Sequence, residues 1–123
     1  MDLTLQRPRG HHYIHSVSNE GIRVVDQIFS EALIVSAHRL ITDWPVNSAQ
    51  ELDAELLERI LELEPEVVLV GTGKSQVFLP PELLMVFYRH SVGVEIMSTQ
   101  AACRTFNVLV SEDRNVVAAL IPV

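Results

Sequence analysis

A single cysteine, Cys103, among 123 residues excludes any disulfide within the chain. That deficit, with the lack of an apolar h-region near residue 1, sets the expectation of a reducing, cytoplasmic location. No apolar run approaches the roughly 18 residues of a membrane span, so membrane insertion is not expected. Basic residues are also scarce. Nine Lys and Arg against sixteen Asp and Glu leave a net charge of −7, which repels a phosphate backbone and argues against nucleic acid as a partner. No repeat or low-complexity segment interrupts the chain. A single domain of this length buries roughly two-thirds of its unfolded surface and folds without staples.

The charge that is present is uneven. Residues 50–66 hold seven acids and only one base, Arg59, whereas Arg7, Arg9, His11, His12 and His15 make the N-terminus locally basic. Residues 1–12 are expected to form a flexible leader and 13–123 a single domain. The acidic run reads as the solvated face of a helix, with a recruitment surface as the alternative.

Short apolar runs between turn residues fill the first half. Strands are expected at Tyr13–Val17, Ile22–Val25, Ala32–Ser36 and Leu40–Trp44, spaced closely enough for antiparallel hairpins. Trp44, before Pro45, reads as an aromatic at the edge of the core. Ser48 and Glu51 have the spacing of a capping box, and Leu52, Leu56, Ile60 and Leu63 recur at helical spacing, so Ala49–Glu64 is expected as one amphipathic helix stopped by Pro65. A buried strand at 67–70 follows. Pro80-Pro81 then opens a helix to about His90, Val94–Met97 is a strand, and Thr99 is placed as the N-cap of a third helix with Ala102, Phe106, Leu109 and Val110 inward. Val116–Ile121 is the last strand. An antiparallel, hairpin-rich N-terminal half followed by αβαβαβ gives an α/β fold of three layers around a mixed sheet.

The junction Val70-Gly71-Thr72-Gly73-Lys74-Ser75 ends a buried strand in glycines, where α/β proteins place ligands. It is not a nucleotide loop. A phosphate-binding loop ending at Gly73-Lys74-Ser75 requires glycine at position 68, which is Val68, and the dinucleotide fingerprint requires a third glycine at position 76, which is Gln76. Val77-Phe78-Leu79 and two prolines also separate the glycines from the next helix.

Three segments carry a family likeness: Val70-Gly71-Thr72-Gly73; the stretch from Gly93 through Met97-Ser98-Thr99-Gln100-Ala101-Ala102-Cys103 to Leu109; and the ending from Glu112 through Asn115-Val116-Val117 to Leu120. Together they resemble the small Mth938-like domain family, whose members include a mitochondrial respiratory complex I assembly factor and an adipogenesis-associated protein. The likeness spans about residues 13–122. It implies a three-layer α/β fold with a mixed central sheet, and it carries over no catalytic mechanism. Ser98 and Gln100 depart from the aspartate and glycine expected around the Met-x-Thr turn, so a function depending on an acid there is not implied for this chain.

The remaining chemistry-bearing residues read as structural. Cys103 sits beside the Phe106 stripe and is expected to pack rather than act as a nucleophile. His11, His12 and His15 lie beside Pro8 and Gly10, without the rigid support that a metal site needs, and no metal is expected. Thr105 and Asn107 are assigned to satisfying backbone groups. The candidate surface for a ligand or partner is the edge formed by Gly71, Thr72, Gly73, Lys74 and Gln76 with Ser98 and Thr99, provided the strands before these loops are parallel neighbours.

No acid–base pair or nucleophile–base spacing appears, so no catalytic residue is named and no cofactor is implied. The leading reading is a non-enzymatic interaction or assembly protein with an unidentified protein partner, itself a monomer or weak homo-oligomer. The alternative is a binder of small anions, or an enzyme, using the 71–75 and 97–99 loops, with Lys74 and loop N–H groups holding the anion. A structural subunit of a homo-oligomer is the third, its sign being a large apolar surface patch.

Overall fold

The computed structural model describes residues 10–123. Among the described residues eight strands, in two sheets, and three α-helices follow one another: β1 (Ile14–Ser18), β2 (Gly21–Val24), β3 (Gln27–Phe29), β4 (Leu33–Val35), β5 (Leu40–Ile41), α1 (Ala54–Leu61), β6 (Val67–Gly71), α2 (Pro81–Tyr88), β7 (Gly93–Met97), α3 (Thr99–Ser111) and β8 (Val116–Leu120). Strands β1, β2 and β3 form a small antiparallel meander. The central sheet has the order β5-β4-β8-β6-β7, with β6 parallel to both β7 and β8, and β4 antiparallel to β5 and β8.

Period-two alternation along the central strands separates two cores. Ile34, Val68, Val70, Val117 and Ala119 face Leu57 and Ile60 of α1 and Val86 and Phe87 of α2. Leu33, Val35, Leu69, Val116, Ala118 and Leu120 face Ile22 and Val24 of the small sheet and Ala102, Cys103 and Phe106 of α3. Three layers result, as expected: α1 with α2, the mixed sheet, and α3 with the meander. Every residue of β8 is buried because it has strands on both sides and helices on both faces. The β6–α2–β7 and β7–α3–β8 crossovers run in opposite directions on opposite faces, and so share one hand.

The departures from expectation are local. Strand β3 was not expected, because the two residues joining it to β2 are Val25 and Asp26, and Val25 has φ +54, a region that β-branched residues seldom enter. The turn survives because Val25 packs against the second core and its N–H donates to the carbonyl of Tyr13 at 3.0 Å.

The acidic segment is not one helix from Ala49 to Glu64. Ser48 makes no capping bond, Glu51 accepts instead from the Asn47 N–H at 2.9 Å, and a single 3-10 turn over Ala49–Glu51 is followed by extended backbone at Leu52. Helix α1 starts afresh at Asp53, whose carboxylate accepts from the Leu56 N–H at 2.9 Å. The break lets Leu52 turn into the core while Asp53 supplies an anionic cap, favoured at a helix N-terminus. Trp44 is 2% exposed and its indole N–H donates to the Leu56 carbonyl at 3.1 Å, so it is a core residue that also anchors α1.

Candidate functional site

Strands β6 and β7 are parallel neighbours in register from Val67 opposite Gly93 to Gly71 opposite Met97, so the glycine loop and the Met97–Gln100 turn leave the same edge of the sheet. The two are stitched together. The Thr72 N–H donates to the Met97 carbonyl at 2.9 Å, and the Gln76 side-chain amide donates to the Ile96 carbonyl at 3.0 Å. The Thr72 hydroxyl closes the loop on itself, donating to the carbonyls of Ser75 and Met97 and accepting from the Val77 N–H.

Thr99 was expected as the N-cap of α3. The cap is Ser98, whose hydroxyl accepts from the Ala101 N–H, and Thr99 is the first helical residue, fully buried. Its hydroxyl accepts from the Gly73 N–H at 2.8 Å and donates to the Ile121 carbonyl, while its own N–H donates to the Gly73 carbonyl at 2.9 Å. One side chain therefore joins the ends of β6 and β8 to the start of α3. An α/β sheet usually binds its ligand in the crevice where crossovers diverge to opposite faces. Here the ends of β6 and β7 are already joined by the Thr72 and Gln76 bonds, and Thr99 fills the space beside Gly71 at the ends of β6 and β8.

Of the seven candidate residues, Gly71, Thr72, Gly73 and Thr99 are thus internal, Ser98 is half-buried as the cap, and Lys74 and Gln76 reach solvent. The cradle imagined for an anion is largely spent on internal hydrogen bonds: the Thr72 and Gly73 N–H groups already have partners.

The other residues singled out from sequence are accounted for locally. Cys103 is fully buried on α3, and desolvation pushes its thiol far above its ordinary pKa, with the Arg104 charge pulling weakly the other way. Asn107 pairs with both backbone groups of Ile14, accepting from its N–H and donating to its carbonyl at 2.8 Å each, which fastens β1 to α3. Thr105 donates to the Ala101 carbonyl within its own helix. His12 is tied to the 36–37 segment, its N–H donating to the Ala37 carbonyl at 2.7 Å and its Nδ1 lying 2.9 Å from the Ser36 carbonyl; the His11 ring meets His38 edge-on. Arg7 and Arg9 of the basic leader lie outside the described residues. Among the described residues no group of three His, Cys, Asp or Glu side chains converges to hold a metal ion, and no helix is long and apolar enough to cross a membrane.

A feature that the sequence reading did not single out lies next to the loop. Phe78 is 84% exposed, and on α2 Met85 and Tyr88 are 42% and 51% exposed. Pro81, Met85 and Tyr88 follow helical spacing down one solvent-facing stripe of α2, while Val86 and Phe87 face the core. The signal was readable: Leu83 to Tyr88 is apolar without periodicity, and a surface helix that is apolar all round has more apolar surface than its own core covers.

Residues 14–121 match the model of a family described as protein of unknown function (DUF498/DUF598). The chain belongs to this family. It is similar to a Bordetella pertussis protein solved as a Mth938-like domain, at 32% identity and a TM-score of 0.84, covering 99% of this chain and 92% of that one. It is 34% identical over 113 residues to the NADH dehydrogenase (ubiquinone) 1 alpha subcomplex assembly factor 3 of Mus musculus, covering 89% of this chain and 60% of the relative. The chain therefore spans less than two-thirds of that assembly factor's length. It is also 32% identical over 94 residues to a 13 kDa major membrane protein of Francisella tularensis, covering 76% of each. The Mth938-like assignment, the three layers and the mixed sheet expected from sequence all stand.

Proposed function

We propose that this chain is a non-enzymatic, assembly-factor-like interaction module, acting in the cytoplasm. Its partner-binding edge runs from the exposed part of the glycine loop, Lys74 to Phe78, onto the outer face of α2. The reading is carried by the closure of the strand end by Thr99, together with the uncovered aromatic Phe78 on the segment that leads from the loop into α2. A small-molecule site needs an open concave cradle with free polar groups. A protein interface needs an exposed apolar centre with a polar rim; Phe78, Met85 and Tyr88 are the exposed apolar groups, and Lys74 and Gln76 are exposed polar groups of the loop that leads to Phe78. Kinship to a protein named as an assembly factor supports the same class of role.

Lys74 is the only lysine in the chain, so an amine-reactive reagent, read by peptide mass to set aside the α-amino group, reports on this loop. Partners captured by the wild-type chain are expected to protect Lys74 from labelling and to be lost with Phe78→Ser at an unchanged melting temperature. Retention of the partners by Phe78→Ser, with loss by Glu58→Lys instead, would move the interface to the acidic helix and overturn this assignment.

A further inference from the structure

We infer that the outer surface of α1 and α2 receives a basic amphipathic helix of the partner protein, its apolar face on α2 and its cationic face toward α1. This rests on the reading of the chain as an interaction module and adds the chemistry of what it binds. The two helices pack against each other on one face of the sheet. Along α1 and its C-cap, Glu55, Glu58 and Glu62 are exposed at helical spacing, giving an acidic stripe in the same layer as the apolar stripe of Met85 and Tyr88. The nearest base on α1, Arg59, is occupied by the carboxylate and carbonyl of Asp43 at 3.1 and 2.9 Å. Acids in the last turn also oppose the helix dipole, an unfavourable arrangement that a cation on the partner would relieve. An apolar stripe beside an acidic one fits a helix-in-groove contact with a basic amphipathic segment.

Other occupants fit less well. An added strand would pair along the outer edge of β7, but the carbonyl of Ile96 on that edge is already taken by Gln76. A second copy docked symmetrically would set one acidic stripe near another, because a two-fold interface is self-complementary. An anionic membrane meets the same repulsion.

The test uses three fluorescent, end-blocked peptides of about 16 residues, long enough to form helix on the surface. One carries Leu at i, i+3, i+4 and i+7 with Lys elsewhere, the second is its scramble, and the third replaces Lys by Glu. Anisotropy at about 0.15 M salt is expected to give a Kd of tens of micromolar or tighter for the first, at least about tenfold weaker binding for the scramble, and none for the acidic peptide. Tyr88→Ser and Met85→Ser should each weaken the first peptide several-fold. Combined Glu55→Gln, Glu58→Gln and Glu62→Gln should weaken it and flatten its salt dependence. Melting temperatures serve as the control for folding.

Equal affinity for the scramble, binding of the acidic peptide, or indifference to the α2 substitutions would overturn the proposal. So would binding to phosphatidylcholine vesicles, or self-association that depends on Tyr88 and competes with the peptide, since either names a different occupant. If Phe78→Ser still releases captured partners while no basic peptide binds, the partner chemistry is wrong and the interaction reading stands. If Phe78→Ser releases nothing, the interaction reading fails first.

Discussion

Gly71 and Thr99 occupy adjoining space that admits no further atom: a Cβ on Gly71 would lie 2.8 Å from both Cα and Oγ1 of Thr99. Gly71→Ala therefore has to push the end of β6 away from the start of α3, and is expected to cost about 1–3 kcal/mol as an overpacking substitution. Thr99→Val keeps the volume but removes the hydroxyl, leaving the Gly73 N–H and the Ile121 carbonyl without that partner. Two buried groups left unpaired put its cost at about 2–4 kcal/mol. Thr99→Ser retains the hydroxyl and should recover most of the loss. Denaturant unfolding of the three variants checks the order, and a Thr99→Val as stable as wild type would show that the hydroxyl is not what closes the crevice.

Cys103 is expected to react slowly with an aromatic disulfide in the native state and quickly in denaturant. Its burial also makes stability depend on pH. The folded thiol holds its proton well above the unfolded value of about 8.5, so above that pH the unfolded state binds fewer protons than the native one. Stability should then fall by about 1.4 kcal/mol per pH unit from this group alone as pH rises past roughly 8.5. Cys103→Ala should remove that component of the slope while lowering stability at neutral pH. Rapid native labelling, or an alkaline slope identical in the alanine variant, would return the thiol to the list of reactive groups.

Lys74→Ala tests the alternative of an anion cradle. The side chain is exposed and the Thr72, Gly73 and Val77 N–H groups bond internally, so the substitution is expected to change stability by no more than about 0.5 kcal/mol. Calorimetry should show no ATP or GTP binding to either protein, in line with Val68 and Gln76 standing where the nucleotide motifs need glycine. Micromolar binding abolished by Lys74→Ala would restore the cradle.

What was legible follows the range of the forces involved. The second half of the fold was readable because Val67–Val70, Pro81 and Gly93 mark strand and helix boundaries locally, and parallel neighbours follow from the alternation of elements. Strand β3 was hidden because packing places Val25 at a positive φ where a sequence reader expects glycine. The start of α1 was displaced because two cap signals, Ser48 and Asp53, lie five residues apart and only burial of Leu52 decides between them. For the site, the adjacency of the two loops could be inferred from sequence, but not the role of Thr99. Its partners Gly73 and Ile121 are 26 and 22 residues away, and no local pattern distinguishes such a bond from an N-cap.

Gln76 is the remaining polar group of the loop, and its hydrogen bond suggests protection of the sheet edge as its first duty. The N–H of Gly93 and the carbonyl of Met97 both face β6, and successive groups alternate sides along a strand, so the carbonyl of Ile96 points outward from β7. The side-chain amide of Gln76 covers that carbonyl. Gln76→Ala uncovers it at the open end of the central sheet, at a stability cost of no more than about 1 kcal/mol for one exposed hydrogen bond. The larger effect should be association, since an uncovered edge is a template for another strand. Sedimentation over a concentration series is expected to show increased self-association for Gln76→Ala and little for Gln76→Lys, whose charge blunts the edge in another way. Equal dispersion of the alanine variant and wild type would mean that the edge is guarded without Gln76, leaving this side chain free to serve the partner surface alone.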